Sequence, residues 1–213
     1  MLLQNLGFIL TLGISINLMA APSTPLTPAA LACWEQAMNN PNIFPKTKGG
    51  EGLAGQYVLG SKIEKLAISM CTYSDAEGSQ RCYQQATQMD EIFNFSKNYA
   101  SETKNEVKYA RLCSNSRKSL FNASTGEADA IDCYKGVMSD PDVLVALKEH
   151  RAQAGMEDVV TKLCISSNAK GAIECYKKSK DRALEILNET KPYVGPDALD
   201  LVIVDLCKGS RLR

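Results

Sequence analysis

Eight cysteines of two alternating kinds constrain this chain more than any other feature. They stand at positions 33, 71, 82, 113, 133, 164, 175 and 207. Four precede an aromatic residue: Cys33-Trp34, Cys82-Tyr83, Cys133-Tyr134 and Cys175-Tyr176. Each of these has a small or slim residue four positions on, namely Ala37, Ala86, Val137 and Ser179. The other four close apolar stretches: Met70-Cys71, Leu112-Cys113, Leu163-Cys164 and Leu206-Cys207. The kinds alternate strictly, so the chain divides into units 33–71, 82–113, 133–164 and 175–207, with internal spacings of 38, 31, 31 and 32. A repeat of this length predicts stacked helical units.

The second half of each unit carries a helical period. Ile63, Leu66, Ala67, Met70 and Cys71 in unit one occupy the same offsets from the closing cysteine as Met156, Val159, Val160, Leu163 and Cys164 in unit three. Leu199, Val202, Ile203, Leu206 and Cys207 repeat them in unit four. These offsets fall on one face of an α-helix. Unit two departs, with Asn105 and Lys108 at two positions that are apolar elsewhere. The first halves predict a short helix Cys33–Asn39 followed by a loop, one helix Cys82–Asn98, a break at Ser139-Asp140-Pro141 with a new helix to about Gln153, and a helix Glu174–Glu189. No window alternates with period two, so no strand is predicted. The expected fold is all-α: disulfide-stapled helical hairpins stacked as a short solenoid or curled bundle.

Two cysteine pairings compete. If each unit is a helical hairpin, its opening and closing cysteines lie at the same end, giving Cys33–Cys71, Cys82–Cys113, Cys133–Cys164 and Cys175–Cys207. This scheme is favoured. The alternative joins cysteines across the linkers, Cys71–Cys82, Cys113–Cys133 and Cys164–Cys175, and leaves Cys33 and Cys207 to meet only in a closed bundle. Spacing alone does not fix connectivity.

The N-terminus predicts export. Leu6–Met19 is an apolar run of signal-peptide length, followed by Ala20, Ala21 and the prolines Pro22, Pro25 and Pro28. Residues 1–20 are therefore expected to be a signal peptide, 21–32 a Pro-rich mature N-terminus and 33–213 a single repeat domain. An even number of cysteines beyond such a signal predicts disulfides and a periplasmic or secreted location. The mature chain is expected to have no membrane span, since Leu199–Leu206 is interrupted by Asp200 and Asp205.

The pattern of a Leu-Cys helix end, about ten residues, then Cys-Tyr opening the next helix resembles cysteine-containing helical repeats of exported bacterial proteins of unassigned function. Leu163-Cys164 to Cys175-Tyr176, Met70-Cys71 to Cys82-Tyr83 and the terminal Leu206-Cys207-Lys208-Gly209-Ser210 carry it. The resemblance implies architecture and no activity, and it lends weight to the linker pairing. The 113–133 linker is longer than the pattern expects.

Composition removes several classes. Lys plus Arg and Asp plus Glu are each 24, a net charge of zero, whereas nucleic-acid binders usually carry a basic excess. The 213-residue chain is 45% hydrophobic and 23% charged, as a globular domain would be. The one histidine, His150, sits among charged residues and is expected on a solvated face. With no CxxC pair, no metal site is expected, and no cofactor. Gly50-Glu51-Gly52-Leu53-Ala54-Gly55 matches GxGxxG but lacks the preceding strand of a dinucleotide fold. As a long loop interrupting unit one, Gly49, Gly50, Glu51, Gly52, Gly55 and Tyr57 form a candidate binding loop. Glu35, Glu51, Asp90 and Glu91 are the carboxylates a hydrolase would draw on, with nothing in their spacing to recommend them. The tyrosines after the cysteines are expected to pack over disulfides with their hydroxyls at the surface. No catalytic set assembles. The expected role is non-catalytic binding or structural, with another protein or an envelope or extracellular component as partner. The alternatives are an inhibitor or effector acting on another organism's enzyme, or a carboxylate-dependent hydrolase.

Overall fold

The computed structural model describes residues 27–48, 56–97, 102–148, 153–186 and 196–212. Every regular element among them is helical, apart from one bridge between Phe121 and Ala128. Unit one contains α1 (Pro28–Asn39), the short α2 (Pro45–Lys48) and α3 (Gln56–Cys71). Unit two follows with α4 (Ala76–Gln88), the short α5 (Asn94–Lys97) and α6 (Glu102–Leu112). After a 3-10 turn at Lys118–Leu120, unit three has α7 (Asp129–Ser139), α8 (Pro141–Lys148) and α9 (Gln153–Cys164). Unit four has α10 (Ala169–Ile186) and α11 (Pro196–Cys207).

The first helices pack in a row, α1 on α4, α4 on α7 and α7 on α10, and the second helices α3, α6, α9 and α11 form a parallel row. The core between the rows holds the residues at the repeated apolar offsets, including Met70, Leu112, Met156, Val160, Leu163 and Ile203. Disulfides join Cys33 to Cys71, Cys82 to Cys113, Cys133 to Cys164 and Cys175 to Cys207, with Cα–Cα distances of 5.5–5.6 Å. These are the pairs of the hairpin scheme, and no disulfide links neighbouring units.

One turn closes every unit. The residue two places after the closing cysteine is left-handed in all four: Tyr73 at φ 65°, Asn115 at 64°, Ser166 at 62° and Gly209 at 82°. A serine follows each time. The backbone N–H groups of Ser74, Ser116, Ser167 and Ser210 donate to the carbonyl of their closing cysteine at 3.0–3.2 Å. This left-handed ending satisfies carbonyls that the helix leaves unpaired.

The helices start earlier than the cysteine pattern alone suggests, because caps set their ends. Asp75 accepts from Gly78 N–H at 2.7 Å and Asn168 from Gly171 N–H at 2.8 Å, so α4 and α10 begin well before Cys82 and Cys175. The predicted single helix Cys82–Asn98 is broken. Met89 is extended and Phe93 has φ 58°, as Phe44 has φ 54° in unit one. The loop expected after Asn39 likewise contains α2.

The units also pair. Asp75 accepts from Lys118 N–H at 3.0 Å, and Asn168 accepts from Leu212 N–H at 3.2 Å. The Arg117 guanidinium donates to the Tyr73 carbonyl at 3.0 Å, and Arg211 donates to the Ser166 carbonyl at 3.1 Å. Gly78 and Gly171 permit this docking: a Cβ would lie 2.5 Å from Arg117 backbone and 2.4 Å from the Ser210 carbonyl oxygen. Units one and two thus form one module, and units three and four a second built the same way. The long 113–133 linker is the seam between them. It is folded rather than loose: Asn122 accepts from Ser124 and Thr125 N–H, and Arg81 lies 4.6 Å from the Phe121 ring centroid.

Candidate functional site

Each short helix is held by a carboxylate from the next unit. The N–H groups of Lys46 and Thr47, in the first turn of α2, donate to the two Glu106 oxygens at 2.8 Å, and the Thr47 hydroxyl also donates to Glu106. In α5, Phe95 and Ser96 N–H donate to Glu157 at 2.8 and 3.1 Å, joined by the Ser96 hydroxyl. A carboxylate facing unpaired N–H groups at a helix N-terminus is a favourable arrangement. Lysines complete the segments. Lys48 Nζ donates to the Ala37 and Asn40 carbonyls at 2.8 Å, and Lys97 Nζ to the Met89 carbonyl at 2.8 Å. Burial lowers the Lys48 pKa, opposed by the nearby Glu106 charge.

A ladder of rings runs across the unit boundaries: Phe44 to Tyr83 at 5.1 Å, Tyr83 to Tyr109 at 6.0 Å, Tyr109 to Phe93 at 5.4 Å and Phe93 to Tyr134 at 5.1 Å. The hydroxyls do not reach the surface as expected. Tyr83 and Tyr134 are fully buried, and neither Oη has a hydrogen-bond partner. The Phe44 N–H approaches the Tyr83 oxygen, and the Phe93 N–H and Glu157 carboxylate approach the Tyr134 oxygen, all outside hydrogen-bond geometry. Burial first, then the Glu106 charge, holds the Tyr83 phenol far above its ordinary pKa, so it is a neutral hydroxyl. Tyr83 and Tyr134 face Phe44 and Phe93 of the preceding unit, a surface that only stacking creates.

Beside this ladder, between units one and two, lies a cleft of about 400 Å³. Buried Tyr83, Asn105, Glu106 and Tyr109 form its floor. Exposed Asn42, Pro45, Lys46 and Thr87 form its rim, with half-buried Lys97 between. Asn105 is 8% exposed, its Oδ1 has no hydrogen-bond partner, and its Nδ2 donates to no described residue.

The repeat supplies its own control for this cleft. Asn105 occupies the offset held by Ile63, Met156 and Leu199 in the other units, and Tyr109 the offset of Ala67, Val160 and Ile203. At the next boundary, around Glu157, the corresponding places hold buried Met156 and Val160. Lys108 closes over that boundary, with Nζ 5.6 Å from the Phe93 ring centroid and 3.7 Å from Glu157. Stacking therefore works with apolar residues at these offsets, and unit two departs from them where the cleft opens. The departure at Asn105 and Lys108 is visible in the sequence; its meeting with Tyr83 and α2 is not.

A second, more open groove of about 470 Å³ lies along α6, α9 and α11, lined by Lys108, Arg111, Lys162 and Lys208 with Asp158 and Asp205. Its charges are partly paired, Lys108 with Asp158 at 3.2 Å.

The eight cysteines are all disulfide-bonded. Gly49, Gly50, Glu51, Gly52 and Gly55 of the candidate loop lie outside the described residues, and Tyr57 lies in α3 with its side chain outside them. The predicted signal peptide and His150 also lie outside. Glu35, Asp90 and Glu91 are exposed and do not line the cleft. Among the described residues no group of His, Cys, Asp and Glu is placed to hold a metal ion, and no helix is long and apolar enough to cross a membrane. Comparison with protein-family models, curated proteins and solved structures finds no match to this chain.

Proposed function

We propose that this chain is an exported, disulfide-stabilised helical-repeat protein with a non-catalytic binding role in a periplasmic or secreted setting. The observation that carries the reading is the cleft between units one and two, lined by polar groups where the repeat elsewhere places apolar ones. Proteins accept such departures from packing rules at functional sites. Four disulfides suit an oxidising compartment. The similarity to cysteine-containing helical repeats of exported bacterial proteins supports the same setting, as does the apolar run before Ala20. Among the described residues Glu106 is the one carboxylate lining the cleft, and α2 engages both its oxygens. Carboxylate hydrolysis of glycosides uses two acids about 5–9.5 Å apart, so binding is the stronger reading.

The test is a paired pull-down. Immobilised chain 21–213 and its Asn105→Met variant, which restores the apolar offset, are exposed to envelope and host extracts. A stoichiometric partner retained by the first and lost by the second is expected. A partner that is an enzyme of another organism would select the inhibitor or effector form of the reading. Equal recovery on both baits, or none on either, removes the cleft as the binding site.

A further inference from the structure

We propose that the cleft recognises a peptide-type amide carrying a nearby carboxylate, as found at a polypeptide C-terminus or in a free N-acyl amino acid. This rests on the binding reading above and names its ligand chemistry. A primary amide offers one acceptor and two donors, and Asn105 uses neither function on any described residue. A secondary amide is its complement, with the ligand N–H donating to Oδ1 and the ligand C=O accepting from Nδ2.

Charge sets the second half of the ligand. Among the lining groups Glu106 already faces the N-terminus of α2, so its charge is answered within the fold. Of the lining cations, Lys97 sits between floor and rim. Lys97 Nζ donates to Met89 and stands 3.9 Å from the exposed Asp90 carboxylate, which leaves ammonium protons for an incoming anion. The Tyr109 ring, 7% exposed and held edge-on by Tyr83 at 85°, gives the floor a small apolar area for a ligand methylene. The cleft volume of about 400 Å³ suits a ligand of a few residues.

The experiment is a calorimetric and NMR titration of the full mature chain with four probes: acetyl-Gly-Ala-Ala with a free carboxylate, the same peptide amidated, N-acetyl-alanine and acetate. The free-carboxylate peptide is expected to bind, at least tenfold more tightly than the amidated one, with chemical-shift changes at Asn105. Asn105→Met is expected to weaken it tenfold or more while the thermal midpoint stays equal or rises. N-acetyl-alanine binding as tightly as the peptide assigns the site to the free acyl amino acid; weaker binding assigns it to a chain end. Acetate binding as tightly as the peptide, or equal binding of the amidated form, overturns the proposal. So does silence from all probes. If the pull-down still depends on Asn105 in that case, the ligand chemistry alone falls and the binding function stands.

Discussion

A buried polar group without a partner costs on the order of 1–3 kcal/mol, and Asn105 stands where its sibling units place buried Met156 and half-buried Ile63 and Leu199. Asn105→Met should therefore stabilise the protein by about 1–2 kcal/mol, measured as a higher urea midpoint with an unchanged slope. A destabilisation of similar size would show that the amide is already satisfied. Glu157 is the opposite case. It is fully buried and receives Phe95 N–H, Ser96 N–H and the Ser96 hydroxyl, so Glu157→Ala leaves several donors orphaned and should cost about 2–4 kcal/mol. Asp140 links packing to pH. Burial disfavours its charge, but N–H bonds from Val143 and Asp142 and the Lys177 ammonium at 3.0 Å outweigh it and hold the pKa below the usual value. A depressed carboxylate stabilises the fold above its unfolded pKa of about 3.9 and loses that contribution as pH falls through the lower folded value. Asp140→Asn should flatten the acid limb of the stability profile below about pH 4. An unchanged limb would remove Asp140 from that role.

At the scale of elements, the apolar offsets and the hairpin ends were legible in the sequence because both depend on one helix's own periodicity. What escaped depends on the neighbouring unit. Glu64, Glu106, Glu157 and Asp200 all stand seven residues before a closing cysteine, in what looks like a polar gap in the apolar face. In the fold Glu106 and Glu157 meet a short helix some sixty residues away. The serine three places after every closing cysteine was equally visible, yet its meaning lies in a left-handed turn that no periodicity shows. The short helices were hidden for a related reason. They are too brief to nucleate alone, and their ends are satisfied from outside. The glycines test the docking of elements directly. Gly78→Ala and Gly171→Ala each force a methyl group to within 2.5 Å of backbone and should cost about 2–3 kcal/mol, read by thermal denaturation. If Gly136→Ala, whose Cβ would meet the Ala169 methyl group at 2.9 Å, costs more than either, backbone docking is not the tighter contact.

For the whole molecule, the grouping of units two by two predicts where it parts. The closures at Arg117 and Arg211 tie unit one to two and three to four, while α4 and α7 meet across the folded seam. The seam turn at Asn122, Ala123, Ser124 and Thr125 is exposed. A protease site inserted between Ala123 and Ser124 should be cut with both halves intact. Because no disulfide spans the seam, the two halves should separate on a denaturing gel without reductant. A cut chain that stays together until reduced would contradict the pairing. Opening one staple, as in a Cys82→Ser/Cys113→Ser double variant, should cost about 3–4 kcal/mol.

The staples also decide how the molecule answers a pull on its ends. Each disulfide closes its own unit as a loop, so tension between Cys33 and Cys207 passes from sulfur to sulfur. The helices inside the loops can lose their packing but cannot pay out as slack. Only the linkers at 72–81, 114–132 and 165–174 can lengthen. While oxidised the chain can lengthen only by what those linkers release, and once reduced it becomes a several-fold longer tether.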